Sequence, residues 1–346
     1  MKNYCKSVHF CVILFSSILL FSCKKQSNLT PQPTPTPTSN FVKGADVSWI
    51  TEMEATGRKF YTTAGVQKDG MQVLKELGMN TIRLRVWVNP SNNWNNAADV
   101  IAKATRAKNL GFRILLNFHY SDSWADPGQQ NKPLSWVGQT IAALQTSVYN
   151  HTFNMLNALK AAGITPEWVQ VGNETNDGML WPEGKASINM QNFALLINAG
   201  YNAVKAVDNN IKVMVHISNG QDNSLFRWIL GGLQTNNAQY DVIGMSLYPE
   251  VYSWSTLNDK CFANMNDMVA RYNKEIMIVE VGMSWDEPMS CLSFLKDIMA
   301  KIKQVTNNKG LGVIYWEPQC YGNWQGYTKG AFDNSGKPTS ALSAFN

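Results

Sequence analysis

The sequence predicts a single (β/α)8 barrel over residues 41–346. Three observations point there. Eight short apolar, β-branched runs recur along the chain, helical stretches separate them, and glycines stand where those helices should stop. Runs that are apolar on both faces suit a parallel sheet covered on both sides. An open doubly wound sheet is the alternative. It usually carries a Gly-rich phosphate loop after its first strand, and Gly44-Ala-Asp-Val-Ser48 has none.

The predicted strands, in order, are Val42–Val47, Thr81–Val86, Arg113–Phe118, Trp168–Val171, Lys212–Val215, Val242–Ser246, Glu275–Val279 and Gly312–Tyr315. Between them the spacing of apolar residues predicts helices over Gln67–Leu77, Ala98–Leu110, Gly138–Ala162 and Met190–Val207. Gly78, Gly111 and Gly163 follow the first three, the position where a left-handed residue closes a helix. No short internal repeat, coiled coil or second domain is visible.

Residues 1–40 do not read as part of the barrel. Lys2 and Lys6 precede an apolar run from Val8 to Phe21, too short to span a membrane, which needs ~20 apolar residues. This is a signal peptide, assigned to residues 1–22. Leu20-Phe-Ser-Cys23 resembles a bacterial lipoprotein cleavage box, with Cys23 as the lipidated first mature residue. An ordinary secretory signal cut elsewhere is the alternative. Residues 23–40, with Thr30-Pro-Gln-Pro-Thr-Pro-Thr-Pro-Thr38, form a Pro/Thr-rich linker that favours extended polyproline geometry. The expected location is the cell envelope, with the domain lipid-anchored to the outer membrane or cell surface.

The net charge is +5, and Lys2, Lys6, Lys24 and Lys25 supply four of it, so the folded part carries about +1. That excludes a charge-based case for nucleic-acid binding. A monomer is expected. Of six cysteines, Cys5 and Cys11 leave with the signal and Cys23 carries lipid. Cys261, Cys291 and Cys320 remain, an odd number that allows one disulfide and one free thiol, or three thiols. Their spacing is not that of a zinc site, and no metal is expected.

In this architecture the carboxyl ends of the strands converge on one mouth. The residues there are polar and aromatic. Glu174 follows the fourth strand, directly after Asn173, and Glu280 follows the seventh. A carboxylate where a buried strand meets open space must be desolvated or keep its proton. Two of them suit retaining glycoside hydrolysis, in which carboxyl groups about 5–5.5 Å apart serve as acid/base and nucleophile. The bland reading makes each a helix cap or ion-pair partner. Arg85 is expected to pair with Glu280 and keep it ionised, and a less polar setting to keep the proton on Glu174.

Other mouth residues follow. Asn173 suits a substrate hydroxyl. His119 would bind or orient, and Trp124 and Trp316 would stack on sugar, while Asp122 and Asp126 read as structural. Tyr248 is either a hydrogen-bond donor to the nucleophile or a core tyrosine. Asp46, at the end of the first strand, and Arg85 and Trp87, at the end of the second, are also expected to contact substrate. His216 reads as a core histidine or a site residue, and the adjacent prolines place Glu250 and Glu317 below the main pair. There is no Gly-x-Ser-x-Gly elbow, His-Glu-x-x-His, Walker loop or dinucleotide fingerprint. The hydrolysis needs no cofactor.

The motifs Gly44-Ala-Asp-Val-Ser48, Asn80-Thr-Ile-Arg-Leu-Arg-Val-Trp87, Asn117-Phe-His-Tyr-Ser-Asp-Ser-Trp-Ala-Asp-Pro127, Val169-Gln-Val-Gly-Asn-Glu174, Ile278-Val-Glu280 and Gly310-Leu-Gly-Val-Ile-Tyr-Trp-Glu-Pro318 lie between Phe41 and the C-terminus. Together they resemble glycoside hydrolase family 53, the arabinogalactan endo-β-1,4-galactanases. The resemblance implies a (β/α)8 barrel that cleaves internal β-1,4-galactosidic bonds of pectic galactan and type I arabinogalactan with retention. It implies Glu174 as acid/base, Glu280 as nucleophile, and Asn173, Arg85, His119, Tyr248 and Trp316 as the supporting shell. Fungal members join the loops after strands seven and eight by a disulfide, which implies Cys291–Cys320 here and leaves Cys261 free. Some bacterial members bind calcium in long loops there; these loops are short, and no such ion is expected. The loop His216-Ile-Ser-Asn-Gly220 lacks the acidic pair of fungal members. The alternatives are another β-1,4-glycanase, such as a mannanase or endoglucanase, or a non-catalytic glycan-binding protein.

Overall fold

The computed structural model describes Met1 and residues 41–346. The expected signal peptide, the expected lipidation site Cys23 and the expected Pro/Thr-rich linker lie outside the described residues. The elements run β1 (Val42–Asp46), α1 (Ile50–Ala55), β2 (Phe60–Tyr61), β3 (Gln67–Lys68), α2 (Gly70–Glu76), β4 (Thr81–Val86) and α3 (Ala97–Asn109). They continue with β5 (Arg113–Phe118), α4 (Ile141–Ala161), β6 (Trp168–Val171), α5 (Met190–Val207), β7 (Lys212–Ile217) and α6 (Asn223–Thr235). The last are β8 (Val242–Leu247), α7 (Trp254–Tyr272), β9 (Glu275–Val281), α8 (Pro288–Lys303) and β10 (Gly310–Trp316). Eight strands, β1 and β4 to β10, close a parallel barrel in the order β1-β10-β9-β8-β7-β6-β5-β4.

Every predicted barrel strand is present. The helix expected over Gln67–Leu77 is shorter, for a local reason. Gln67 and Lys68 pair with Tyr61 and Phe60 in a small antiparallel ribbon. The Asp69 carboxylate then accepts the Gln72 N–H, capping a helix that starts at Gly70. Thr140 likewise caps α4 through Ala143 N–H, so that helix begins at Ile141 and not at Gly138. Gly78, Gly111 and Gly163 all have positive φ, as helix-closing residues require.

Strand alternation separates two environments. Ile82, Leu84 and Val86 face out and join the main core beneath the helices. Inside, Val42, Leu115, Trp168, Met214, Val242, Met277, Val279 and Ile314 form a second apolar cluster that fills the barrel. Space there is tight. A Cβ on Gly44 would meet Ile314 Cγ1 at 2.8 Å and Thr81 O at 3.1 Å. Towards the carboxyl ends the interior turns polar, with Asp46, Arg83, Gln170 and His216 all fully buried.

The expected Cys291–Cys320 disulfide is not formed; Cys261, Cys291 and Cys320 are buried free thiols. Cys291 Sγ lies 3.7 Å from the Tyr315 hydroxyl, and Cys320 Sγ lies 3.8 Å from Met53 Sδ on α1. Each sulfur is committed to a different packing partner. Burial pushes the Cys291 thiol up to about 12, so it stays protonated and unreactive.

Candidate active site

Glu174 is carried on a bent segment. Gly172 leaves β6 with φ +84°, and a Cβ there would meet Thr175 Cγ2 at 2.6 Å. Glu174 itself adopts φ +44°, a left-handed conformation unusual for a residue with a side chain. The surroundings hold it there. Thr175 donates its N–H and hydroxyl to His216 O at 2.8 and 3.0 Å, and Asn176 Nδ2 donates to Ser218 Oγ at 2.6 Å. Backbone strain maintained by neighbouring contacts is a recurrent mark of functional positions. Glu280 sits within β9 and is 5% exposed.

The two carboxyl groups share one place. Ser246 on β8 is the register partner of Glu280 on β9, and strands lie about 4.8 Å apart. The Ser246 hydroxyl donates to Glu174 Oε1 at 2.7 Å. Two residues on, the Tyr248 hydroxyl donates to Glu280 Oε2 at 2.8 Å. Glu174 and Glu280 both line a cleft of about 420 Å³. A second recess of about 270 Å³ shares Glu174 and Tyr248 with it, but not Glu280.

Their environments differ. Burial, then the negative charge of Glu280, pushes Glu174 up to about 8, so it is a carboxylic acid at neutral pH. Burial also raises Glu280, but Arg83 and the Tyr248 hydroxyl oppose it. Arg83 Nη2 is 2.9 Å from Glu280 Oε1. The proton of the pair therefore belongs on Glu174 and the charge on Glu280, the division an acid and a nucleophile require.

Arg83 anchors the floor. It reaches Asp46 Oδ2 at 2.7 Å and Asn173 Oδ1 at 3.0 Å besides Glu280. This corrects the expected Arg85–Glu280 pair. Arg85 is one interior layer further along β4, and its Nη1 lies 3.7 Å from Glu317 Oε1. None of its three nitrogens has a hydrogen-bond partner among the described residues. Its guanidinium lies instead 4.1 Å from the Trp124 ring centroid and 4.7 Å from that of Trp87. Such stacking stabilises a desolvated cation.

Asn173, His119, Tyr248, Trp124 and Trp316 line the cleft as expected. Asp46, Arg85 and Trp87 do not; all three are buried behind it. Asp46 is consumed by Arg83 and by Ser48, and Trp87 packs edge-on against Trp124 at 5.3 Å. They support the site without facing substrate. Glu317 is fully buried and accepts the Trp49 N–H, a structural use, and Glu250 pairs at the surface with Lys329 at 3.4 Å. Asp122 accepts the N–H groups of Asn89 and Leu134, as a structural loop residue does; Asp126 reaches the cleft rim. His216 is buried, yet it bonds to Ser246 and to the Glu174 backbone, so core and site are the same place here.

Sequence reasoning missed the functional weight of Arg83, Ser246, Gln170 and Tyr327. The strand alternation Thr81-Ile-Arg-Leu-Arg-Val shows that both arginines face inward, but not which layer meets β9. Tyr327 packs 4.7 Å from Trp316 and arrives from a loop without a distinguishing pattern. With Trp49, 5.1 Å from Trp316 and 5.4 Å from Trp124, these rings make a contiguous aromatic wall.

A parallel barrel with an acid-and-carboxylate pair at the ends of its fourth and seventh strands, facing an indole wall, defines a glycoside hydrolase. The particular family follows from comparison. The sequence pattern of Glycosyl hydrolase family 53 matches residues 42–345, and the chain belongs to that family. An arabinogalactan endo-beta-1,4-galactanase from Humicola insolens is 34% identical, with 88% of this chain and 98% of that protein covered. A solved fungal β-1,4-galactanase superposes with a TM-score of 0.81 at 32% identity, covering 88% of this chain and 98% of that one. The GH53 catalytic domain of Ignisphaera aggregans gives 0.80 at 29% identity, covering 90% and 97%.

Proposed function

We propose that the protein is an endo-acting, retaining hydrolase of internal β-1,4-galactosidic bonds in pectic galactan and type I arabinogalactan. The activity named for its family relatives supports the substrate class. The observation that carries the mechanism is the single cleft shared by a protonated Glu174 and an Arg83-held Glu280.

A Glu280 oxygen attacks the anomeric carbon while the Glu174 proton passes to the glycosidic oxygen, which leaves with the bonding electron pair. The galactosyl-enzyme is then hydrolysed by a water that gives its proton back to Glu174. The attacked sugar sits on the aromatic side, where Glu280 is exposed to the cleft. The leaving sugar lies in the polar recess beside Ser218, Asn219 and Gln221. A cleft that continues on both sides of Glu174 suits cutting within a chain.

The test is Glu174→Gln and Glu280→Gln. Each is expected to lower galactan hydrolysis by at least about 10³-fold. Near-wild-type turnover by either removes the assignment, and a screen on galactan, mannan, xylan and cellulose decides the substrate. NMR of the earliest product is expected to show the β-anomer first. We further propose export as a lipoprotein monomer anchored at Cys23; mass spectrometry of the mature N-terminus tests the anchor.

A further inference from the structure

Behind Glu174 stands a chain of buried polar groups with a defined direction. Gln170 Nε2 lies 2.8 Å from His216 Nδ1, but its two hydrogens also have Asn117 Oδ1 at 2.6 Å and Gly172 O at 3.0 Å as acceptors, so Gln170 packs the ring without fixing its tautomer. The backbone N–H of Glu174 donates to the same Nδ1 at 3.3 Å. An imidazole nitrogen that accepts a backbone N–H carries no proton, so the neutral ring holds its hydrogen on Nε2. Burial and Arg83 keep His216 well below the usual histidine range, so the ring is neutral. Asn173 Oδ1 also lies 3.2 Å from Nδ1, but it already accepts from Arg83 and Asn117 and needs no ring proton.

His216 Nε2 is 2.8 Å from Ser246 Oγ and therefore donates to it. Serine has one hydroxyl hydrogen. It goes to Glu174 Oε1 at 2.7 Å. In a neutral carboxylic acid the C=O oxygen accepts more strongly than the O–H oxygen, so this donor favours the tautomer with the proton on the other oxygen.

We propose that the Glu174 backbone N–H, His216 and Ser246 form a one-way hydrogen-bond relay that positions Glu174 and favours its acid proton on Oε2, the oxygen the relay leaves free. This rests on the reading of Glu174 as acid/base. His216 and Ser246 are positioning residues. Gln170 and His216 line neither the cleft nor the recess. In the first step the Oε2 proton moves to the departing glycosidic oxygen, and Ser246 continues to donate to the carboxylate left behind. In the second step water returns a proton to Oε2. No member of the relay is itself deprotonated. The charged or titratable groups that face Glu174 from other elements are Glu280, Arg83, Asp126 and Tyr248; none of them substitutes for the Ser246 donor.

The experiment compares two substrates on Ser246→Ala and Ser246→Thr in the full-length protein. Galactan has a sugar leaving group that needs the acid. A 2,4-dinitrophenyl β-galactobioside has a leaving group that departs without one, and its kcat/KM reports formation of the glycosyl-enzyme. Both are turned over by the same molecules, so their ratio is independent of the fraction folded. For Ser246→Ala the galactan kcat/KM is expected to fall about 10- to 100-fold and the aryl value less than about 3-fold. Ser246→Thr, which keeps the hydroxyl, is expected to restore the ratio. A parallel fall on both substrates, or no fall on galactan, overturns the relay. Glu174→Gln run beside them separates the two claims. If it spares galactan, the acid/base reading itself fails. If it abolishes galactan turnover while Ser246→Ala does not, only the relay fails.

Discussion

Arg83 Nη2 lies 2.9 Å from Glu280 Oε1, and the same guanidinium holds Asp46 at 2.7 Å. Arg83 is thus flanked by two buried carboxylates, and Glu280 is the one that faces the cleft. This cation makes an ionised Glu280 possible in a nearly dry site, because a buried carboxylate without a partner keeps its proton.

Arg83→Lys is therefore expected to lower kcat/KM on galactan by about 100-fold or more, since a point charge cannot serve Asp46, Asn173 and Glu280 together. Arg85→Met is expected to cost less than Arg83→Met, because Arg85 is stacked beneath Trp124 and makes no hydrogen bond to Glu174 or Glu280. Steady-state kinetics of the two methionine variants decides this; a larger loss at Arg85 contradicts it.

The pH profile should carry the signature of Glu174. Its pKa is raised to about 8, so the proton-donating form is complete well below pH 8 and is lost as pH rises through it. The kcat/KM profile is expected to fall on its alkaline side near pH 8. In Glu280→Gln the neighbouring negative charge is gone and the Glu174 pKa moves down, while the part due to burial remains. Carbon-13 NMR of labelled Glu174 measures that shift, and an unchanged or higher value contradicts the coupling.

Tyr248→Phe removes the hydroxyl at 2.8 Å from Glu280 Oε2. A hydrogen bond to a charged group contributes about 1.5–3 kcal/mol, which predicts roughly a 10- to 150-fold loss in kcat/KM. Because that bond lowers the Glu280 pKa, the acid side of the profile should move to higher pH. A profile that keeps its acid side in place would mean the phenol packs but does not tune.

The aromatic wall should act on binding. Trp316→Ala is expected to raise KM for galactan about 10-fold, with a smaller effect on kcat. Galacto-oligosaccharides should perturb the tryptophan fluorescence of the wild type, and less so that of the variant.

Thiol titration checks the cysteines. Residues 41–346 hold three free thiols, all buried. The denatured domain should therefore release three equivalents with Ellman's reagent under non-reducing conditions, and the native domain almost none. One equivalent after denaturation would restore a disulfide.

The barrel was legible because its strands are short, apolar and separated by capped helices, and because a strand's end in this architecture is a prediction of place. That Glu174, Glu280, Tyr248 and Trp316 would face one cleft followed from that place alone. The partner of Glu280 did not. Arg83 and Arg85 both face the lumen, and only the stagger between β4 and β9 decides which one meets the carboxylate. Ser246 and Gln170 were hidden for another reason. A serine or glutamine in a β-strand carries no local mark of function, and their roles come from strands 72 and 46 residues away in the chain. The disulfide failed because comparable loop positions do not determine which way a cysteine side chain points.

The central claim is that Glu280 is the nucleophile and Glu174 the acid within one cleft. Trapping with an activated 2-deoxy-2-fluoro β-galactobioside tests it most directly, because the fluorine slows breakdown of the covalent intermediate and peptide mapping locates it. The label is expected on Glu280, in the peptide containing Ile278-Val-Glu280, with activity lost in proportion. A label on Glu174, Glu317 or any other carboxylate would contradict the account.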